Sequence, residues 1–237
     1  MYDIAFISYG EPQATSRYIE LISAFPTRRV YRIADIKGIH QAHIEAARQS
    51  NTKMFYVVDA DAKVLPSFKF DLRLDSSEED IVHVWRSINP VNGLEYGYGG
   101  VKLLPTELTL NMDITSADMT TGISSRFKAI PEVSNITAFN VNPLATWRSA
   151  FRECVKLSSK IIPSQEHTET DSRLEIWLTK GSDEQYGEYA KGGASAGNWY
   201  GTTYKDDPAM LAKINDFDWL EEQFNEHIKL FPPETFK

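Results

Sequence analysis

The alternation in the first 61 residues constrains the fold more than any other part of this chain. Ile4-Ala5-Phe6-Ile7 is a short apolar run closed by Ser8-Tyr9-Gly10-Glu11-Pro12, which predicts a buried strand and a loop. From Thr15 to Phe25, the residues Tyr18, Ile19, Ile22 and Phe25 recur at helical spacing, and Pro26 stops the pattern. Arg29 to Ile33 alternates as a second strand, and Gly38 precedes a helix over Ile39–Gln49. Met54-Phe55-Tyr56-Val57-Val58 is a third strand. The order β-α-β-α-β requires crossover connections, so it predicts parallel strands and an α/β fold.

The third strand ends in Asp59-Ala60-Asp61. Period-2 geometry places the two carboxylates on one face. Paired hard oxygens suit Mg²⁺ or Mn²⁺, which take one or two carboxylates together with phosphate oxygens. Ligands of open α/β sheets bind outside the carboxyl ends of the strands. The competing reading of so short a motif is a solvated turn.

Composition narrows the class. The chain has 237 residues and a net charge of -8, which argues against coating nucleic acid by bulk charge. Arg17, Arg28, Arg29 and Arg32 form a basic concentration near the N-terminus. Cys154 is the sole cysteine, so an intrachain disulfide or a Cys-rich zinc site is excluded, and a small core residue is its expected role. No apolar run approaches ~18 residues, and the start Met1-Tyr2-Asp3 lacks the pattern of a signal peptide; the expectation is a cytoplasmic protein without a membrane partner.

Beyond the third strand, Asp75–Asp80 reads as an acidic loop and Ile81–Arg86 as a strand. Tyr96-Gly97-Tyr98-Gly99-Gly100 leads into a strand over 101–105, its glycines serving either a ligand's approach or a tight strand crossing. Helices are predicted over 146–162, over 170–180 with Gly181 as the stop, at Pro208, and from Asp216 with Phe217, Leu220, Phe224 and Ile228 inward and His227 toward solvent. Gly192-Gly193-Ala194-Ser195-Ala196-Gly197 reads either as a helix packed closely on a neighbour or as a mobile lid. The expected partition is a single domain, with a nucleotide-binding half over 1–105 and a helical C-terminal half over 106–237.

The β-α-β-α-β half, the Val57-Val58-Asp59-Ala60-Asp61 motif and a Gly-rich strand about forty residues later resemble the GT-A class of glycosyltransferases. Three segments, 83–90, 97–105 and 146–154, resemble glycosyltransferase-like proteins of tailed bacteriophages, some of which decorate hydroxymethylated bases of phage DNA. The resemblance implies an α/β, GT-A-like fold with a mixed central sheet flanked by helices. It also implies transfer of a sugar, glucosyl or arabinosyl for example, from a nucleotide diphosphate sugar, with a UDP-sugar as the leading donor. The acceptor would be a hydroxyl, including that of a 5-hydroxymethyl pyrimidine in DNA.

The same resemblance distributes roles. Asp59 and Asp61 would hold Mn²⁺ or Mg²⁺, with His167 as third ligand among His40, His43, His83, His167 and His227. Ser8, Tyr9, Gly10, Glu11, Lys37, Asp59 and Lys191 would bind the donor, with Arg148 and Arg152 as further diphosphate candidates. Trp85, Arg86, Gly99 and Gly100 would meet the acceptor; for Trp85 and Arg86 the favoured alternative is a core tryptophan beside a surface arginine. An inverting reaction needs a general base; Glu153, Asp118 and Asp171 are the main candidates, with Asp113 beside them. For Glu153 the alternative is a plain salt bridge with Arg152 or Lys156, and inversion and retention both stay open. Two rivals stand beside this reading. A nucleotidyltransferase would carry a basic, Gly-rich loop after the first strand, where this chain has Glu11. A non-catalytic scaffold of the same fold would be expected to have lost Asp59 or Asp61.

Overall fold

The structure is a computed structural model that describes residues 1–96, 99–116, 118–161 and 166–232. The chain divides into two compact units. The first takes Met1–Ile88, Glu95–Ile114 and Met119–Ala138; the second takes Asn89–Leu94, Thr115–Asp118 and Phe139–Lys237.

The first unit is a mixed α/β layer. It opens with β1 (Asp3–Ser8), α1 (Ala14–Ala24), β2 (Val30–Ala34), α2 (Ile39–Gln49) and β3 (Met54–Asp59). β1 pairs with β2 on one side and β3 on the other, both parallel. The turn after β3 leads into β4 (Ala62–Val64); β5 (Val82–Ile88), β6 (Glu95–Tyr96), β7 (Val101–Pro105), α3 (Thr106–Leu110), α4 (Met119–Ile123) and β8 (Phe127–Thr137) complete the unit. Among the described residues the sheet has the order β2-β1-β3-β7-β5-β8-β4, with β6 beside β5. β7 runs antiparallel to both β3 and β5, while β5 and β8 run parallel, so the sheet is mixed.

Alternation along β3 builds both faces of this sheet. Met54, Tyr56 and Val58 join Phe6, Leu21, Phe68 and Trp85 on the α1 side. Phe55 and Val57 join Ala46, Ala47, Val84 and Leu104 on the α2 side. β3 is covered on both faces, which is why it reads as a continuous apolar run. Each such side chain contributes about 1.5–3 kcal/mol on full burial.

The long strand β8 has no counterpart in the sequence expectations, because Pro131 interrupts its pattern. The structure absorbs the proline in an irregularity: Trp85 pairs with Ile130 and Arg86 with Val133, so Pro131 and Glu132 fall between ladder positions. A residue without an N–H is tolerated there. The acidic loop before β5 is tied down by ion pairs of Glu78 with Lys128 and Asp80 with Arg126.

The second unit is helical: α5 (Pro143–Ser159), α6 (His167–Thr179), α7 (Gly187–Thr203), α8 (Pro208–Ala212) and α9 (Phe217–Leu230). α5 starts three residues before the expected Thr146, because Asn142 caps it by accepting from the Ala145 N–H at 2.8 Å and Pro143 fills the first turn. Of the two readings of the glycine run, the structure takes the packed helix. A Cβ on Gly193 would lie 2.3 Å from the Trp147 carbonyl oxygen, one on Gly197 2.3 Å from that of Phe151, and one on Gly201 2.6 Å from that of Val155. Glycines four residues apart thus let α7 lie against the backbone of α5. Trp147, Phe151, Val155, Tyr200, Leu211, Ile214 and Leu220 form the core of this unit.

His227 departs from its expected outward position. It is half-buried, its ring lies 5.6 Å from that of Trp147, and Nε2 has no partner among the described residues. Burial lowers its pKa. Cys154 is buried and its thiol is pushed well upward by burial, as befits a core residue. No helix among the described residues is long and apolar enough to cross a membrane.

Candidate functional site

The site is built at the carboxyl ends of β1 and β3, where the strand order reverses: the chain moves from β1 to β2 on one side, then returns to β3 on the other. Sheets of this kind open a crevice at such a switch point. The 59–61 turn is fixed from several directions. The Asp59 N–H donates to the Gly100 carbonyl at 3.0 Å, the Ala60 N–H to Ile7 at 2.9 Å, and the Ala138 N–H reaches the Asp61 carbonyl at 2.7 Å. From α1, Arg17 donates to the Ala60 carbonyl at 2.6 Å and to Gln13 Oε1 at 2.8 Å.

The two carboxylates have different surroundings. Asp59 Oδ2 accepts from Lys102 Nζ at 2.7 Å; the lysine side chain is 4% exposed and the aspartate 34%. Lys102 also donates to the Gly99 carbonyl. Asp61 is pushed up to about 7, first by burial, then by the negative charges of Asp59 and Glu11, against the opposing pull of Lys102 and Arg17. A half-buried carboxyl held that high is a group that a cation would relieve.

Lys102 is a residue that sequence reading missed. It sits in the apolar run 101–105, on the same strand face as Leu104, and all five residues are buried. The available signal was a single lysine inside a fully buried strand. On the same side, α2 presents His43, 2% exposed. Its Nδ1 is 2.8 Å from the Ile39 carbonyl and its Nε2 has no partner among the described residues. Burial and Lys102 lower its pKa to about 4, so the ring is neutral.

Two glycines lie beside Lys102. Gly99 has φ +74, and a Cβ there would lie 3.8 Å from Lys102 Nζ. A Cβ on Gly100 would meet Asn135 Nδ2 at 2.7 Å. Asn135 is itself locked: Oδ1 accepts from the hydroxyls of Ser87 and Ser134, each at 2.8 Å, and Nδ2 donates to Thr137 Oγ1 at 3.3 Å. This buried network ties β5 to β8, and Gly100, just before β7, sits against its Asn135. Gly100 thus serves a tight strand crossing, and Gly99 lies beside the buried end of Lys102. Gly97 and Tyr98 lie outside the described residues, as does Gln165 before His167.

The other candidate residues fall as follows. Around β1, the Tyr9 N–H donates to Glu11 Oε2 at 2.7 Å, Gly10 takes φ +80, and Tyr9 is exposed. Ser8 is 3% exposed, and its hydroxyl receives Arg32 Nε at 3.0 Å, so its side chain is committed to β2. Lys37 is exposed beside Gly38, the residue that caps α2. On the α1 side a cavity of about 360 Å³ is lined by Phe6, Arg17, Leu21, Val58, Lys63 and Phe68.

Trp85 needs correction as an acceptor platform. It is 2% exposed, packs on Tyr56 and Phe68 with ring separations of 5.6 and 5.4 Å, and donates from Nε1 to Glu132 at 3.2 Å. A ring enclosed by other rings offers no face to a ligand. Arg86 is exposed at the strand irregularity. The N-terminal arginines are also committed: Arg29 pairs with Asp3 at 2.9 Å and Arg28 donates to the Tyr2 carbonyl at 3.4 Å.

In the second unit, Asp118 is buried and pairs with Lys156 at 2.7 Å, and exposed Asp171 pairs with Lys160. Glu153 is half-buried. Of the two salt-bridge partners weighed for it as an alternative, Lys156 goes to Asp118 instead. Arg152 donates to the Ile214 carbonyl at 2.8 Å, and Arg148 lies 4.1 Å over the Phe217 ring; both arginines anchor the chain before α9. His167 opens α6 and is exposed, and Lys191 is exposed on α7. Among the described residues, no three His, Cys, Asp or Glu side chains group as a ready cation cage. Asp61, with Asp59 beside it in the ion pair with Lys102, is the carboxylate that would hold a Mg²⁺ or Mn²⁺ bringing phosphate oxygens and water of its own.

No protein-family model matches the chain, and no curated protein matches it. Among solved structures, the chain is similar to HddC from Yersinia pseudotuberculosis at 15% identity and a TM-score of 0.38, over 56% of this chain and 90% of that one. A likeness that weak carries no argument.

Proposed function

We propose that the protein is a GT-A-like glycosyltransferase that takes a sugar from a nucleotide diphosphate sugar with the help of Mn²⁺ or Mg²⁺. The observation that carries this reading is the Asp59-Ala60-Asp61 turn, clamped at the switch point of the sheet beside antiparallel β7, with Asp61 held near neutrality by burial and neighbouring carboxylates. Such a turn suits a ligand that delivers both a cation and the phosphates to share it.

On this reading Asp61 is the cation ligand, and Asp59 is held by Lys102. The cation, when bound, offsets negative charge growing on the departing diphosphate. The exposed loop Tyr9-Gly10-Glu11 borders the donor's nucleoside. That loop carries a glutamate and no lysine or arginine, which weighs against nucleotidyl transfer. Glu153 is the base candidate not engaged by the lysines that hold Asp118 and Asp171. The acceptor is a hydroxyl, with hydroxymethylated DNA as one class to be tried.

The test is calorimetric titration with uridine diphosphate and Mn²⁺, followed by a donor panel in which released nucleoside diphosphate is measured. Asp61→Asn should lose cation-dependent nucleotide binding at least about 100-fold with an unchanged circular dichroism spectrum, since a direct charged ligand is removed. Wild-type affinity in that variant would overturn the proposal.

A further inference from the structure

Lys102 poses a problem that stability does not answer. A buried ion pair is commonly no better than a well-packed apolar pair, because taking two charges out of water costs several kcal/mol per ion. An apolar residue at 102 would continue the surface made by Leu104, Val57 and Val84. The chain instead places an ammonium 2.7 Å from Asp59 Oδ2, within the turn that carries Asp61. Two of its three N–H donors go to Asp59 and the Gly99 carbonyl. Gly99 leaves the space beside Nζ without a side chain.

A fixed ammonium treats the two halves of a cation–diphosphate complex differently. It repels a free divalent cation approaching Asp61 and neutralises the neighbouring carboxylate that would otherwise attract it. It attracts the diphosphate. We infer that Lys102 is a positioning residue that makes cation binding conditional on the donor: the site takes Mn²⁺ or Mg²⁺ together with a nucleoside diphosphate and holds either alone poorly. This rests on the function proposed above. It adds an order to binding and a role to a lysine that the D-x-D motif does not include.

The experiment measures coupling between the two ligands, with Mn²⁺ followed by electron paramagnetic resonance and uridine diphosphate by calorimetry, each titrated alone and in the presence of the other. In the wild type each should tighten the other, by the same factor. In Lys102→Met, Mn²⁺ alone should bind about 10-fold tighter, and the coupling factor should fall about 10-fold, the scale of one unit charge a few ångströms away at intermediate dielectric. Lys102→Arg should keep the coupling. Lys102→Gln serves as a second uncharged variant if the methionine form does not fold. A purely structural lysine would leave the coupling factor unchanged in the folded uncharged variants, and that result overturns the inference while the proposed function stands. A wild type that binds neither Mn²⁺ nor uridine diphosphate overturns both.

Discussion

The turn at residues 59–61 and the α5–α7 contact are both places where the backbone is closely constrained, and they are constrained for opposite reasons. At α5–α7, glycines at 193, 197 and 201 let two helices touch, and the surrounding Trp147, Phe151 and Tyr200 are ordinary core. At the turn, the backbone is clamped by hydrogen bonds and by Arg17, yet the side chains held there are in poor electrostatic circumstances: burial and neighbouring carboxylates raise the pKa of Asp61, Lys102 is buried, and His43 Nε2 has no partner among the described residues. The first arrangement minimises the free energy of the fold. The second leaves unfavourable terms in place, which is what a site waiting for a charged ligand looks like. Features that seem functional on paper, such as a glycine run and a tryptophan beside arginines, turned out to be packing. A lysine hidden in an apolar strand turned out to pair with Asp59.

Three perturbations separate the two regions further. The largest effect is expected at the helical contact. Gly197→Ala puts a methyl group 2.3 Å from the Phe151 carbonyl oxygen, and no side-chain rotation can relieve a backbone clash. Urea unfolding should show a loss of about 2–3 kcal/mol, with cation and nucleotide binding retained in the folded fraction. A loss under ~0.5 kcal/mol would mean that the helices can separate without cost.

At the turn the sign should reverse. Asp61 has a folded pKa near 7, above the usual value near 4 of an unfolded chain. The folded state therefore holds more protons between about pH 4 and 7, so its stability is fully present below pH 4 and is lost as pH rises through 7. Asp61→Asn removes that penalty. It should be more stable than wild type by about 1–2 kcal/mol at pH 8, with the difference vanishing near pH 4. Thermal melts across that range check it; a variant less stable at pH 8 would show that the carboxylate is well accommodated in the fold.

The smallest effect is expected at Pro131. It sits between ladder positions, so Pro131→Ala restores an N–H that no strand partner awaits and should change stability by less than ~0.5 kcal/mol. A gain above ~1 kcal/mol would show that β8 and β5 pair better without the irregularity.

Local pattern carried a good part of this. The apolar runs and stop signals located β1, α1, β2, α2, β3 and α9 to within a residue or two, because each is specified by its own periodicity and its flanking proline, glycine or aspartate. Asp59 and Asp61 were readable as a candidate site for the same reason: two carboxylates at the end of a buried strand are a local feature. Residues 106–142 were not assigned, since β8 is interrupted by Pro131, and only pairing with β5 makes an extended strand of it.

The sequence by itself determined the parallel half of the sheet, the two carboxylates at its edge and the helical character of the second unit. Tertiary structure alone decided that β7 runs antiparallel beside β3, that Lys102 consequently ends at Asp59, that Trp85 is enclosed by Tyr56 and Phe68, and that the glycine run is a helix seam. The physical reason is one of range. Periodicity is set by neighbours three or four residues away, whereas the ion pair of Lys102 with Asp59 joins residues 43 positions apart, and only the folded sheet brings them together.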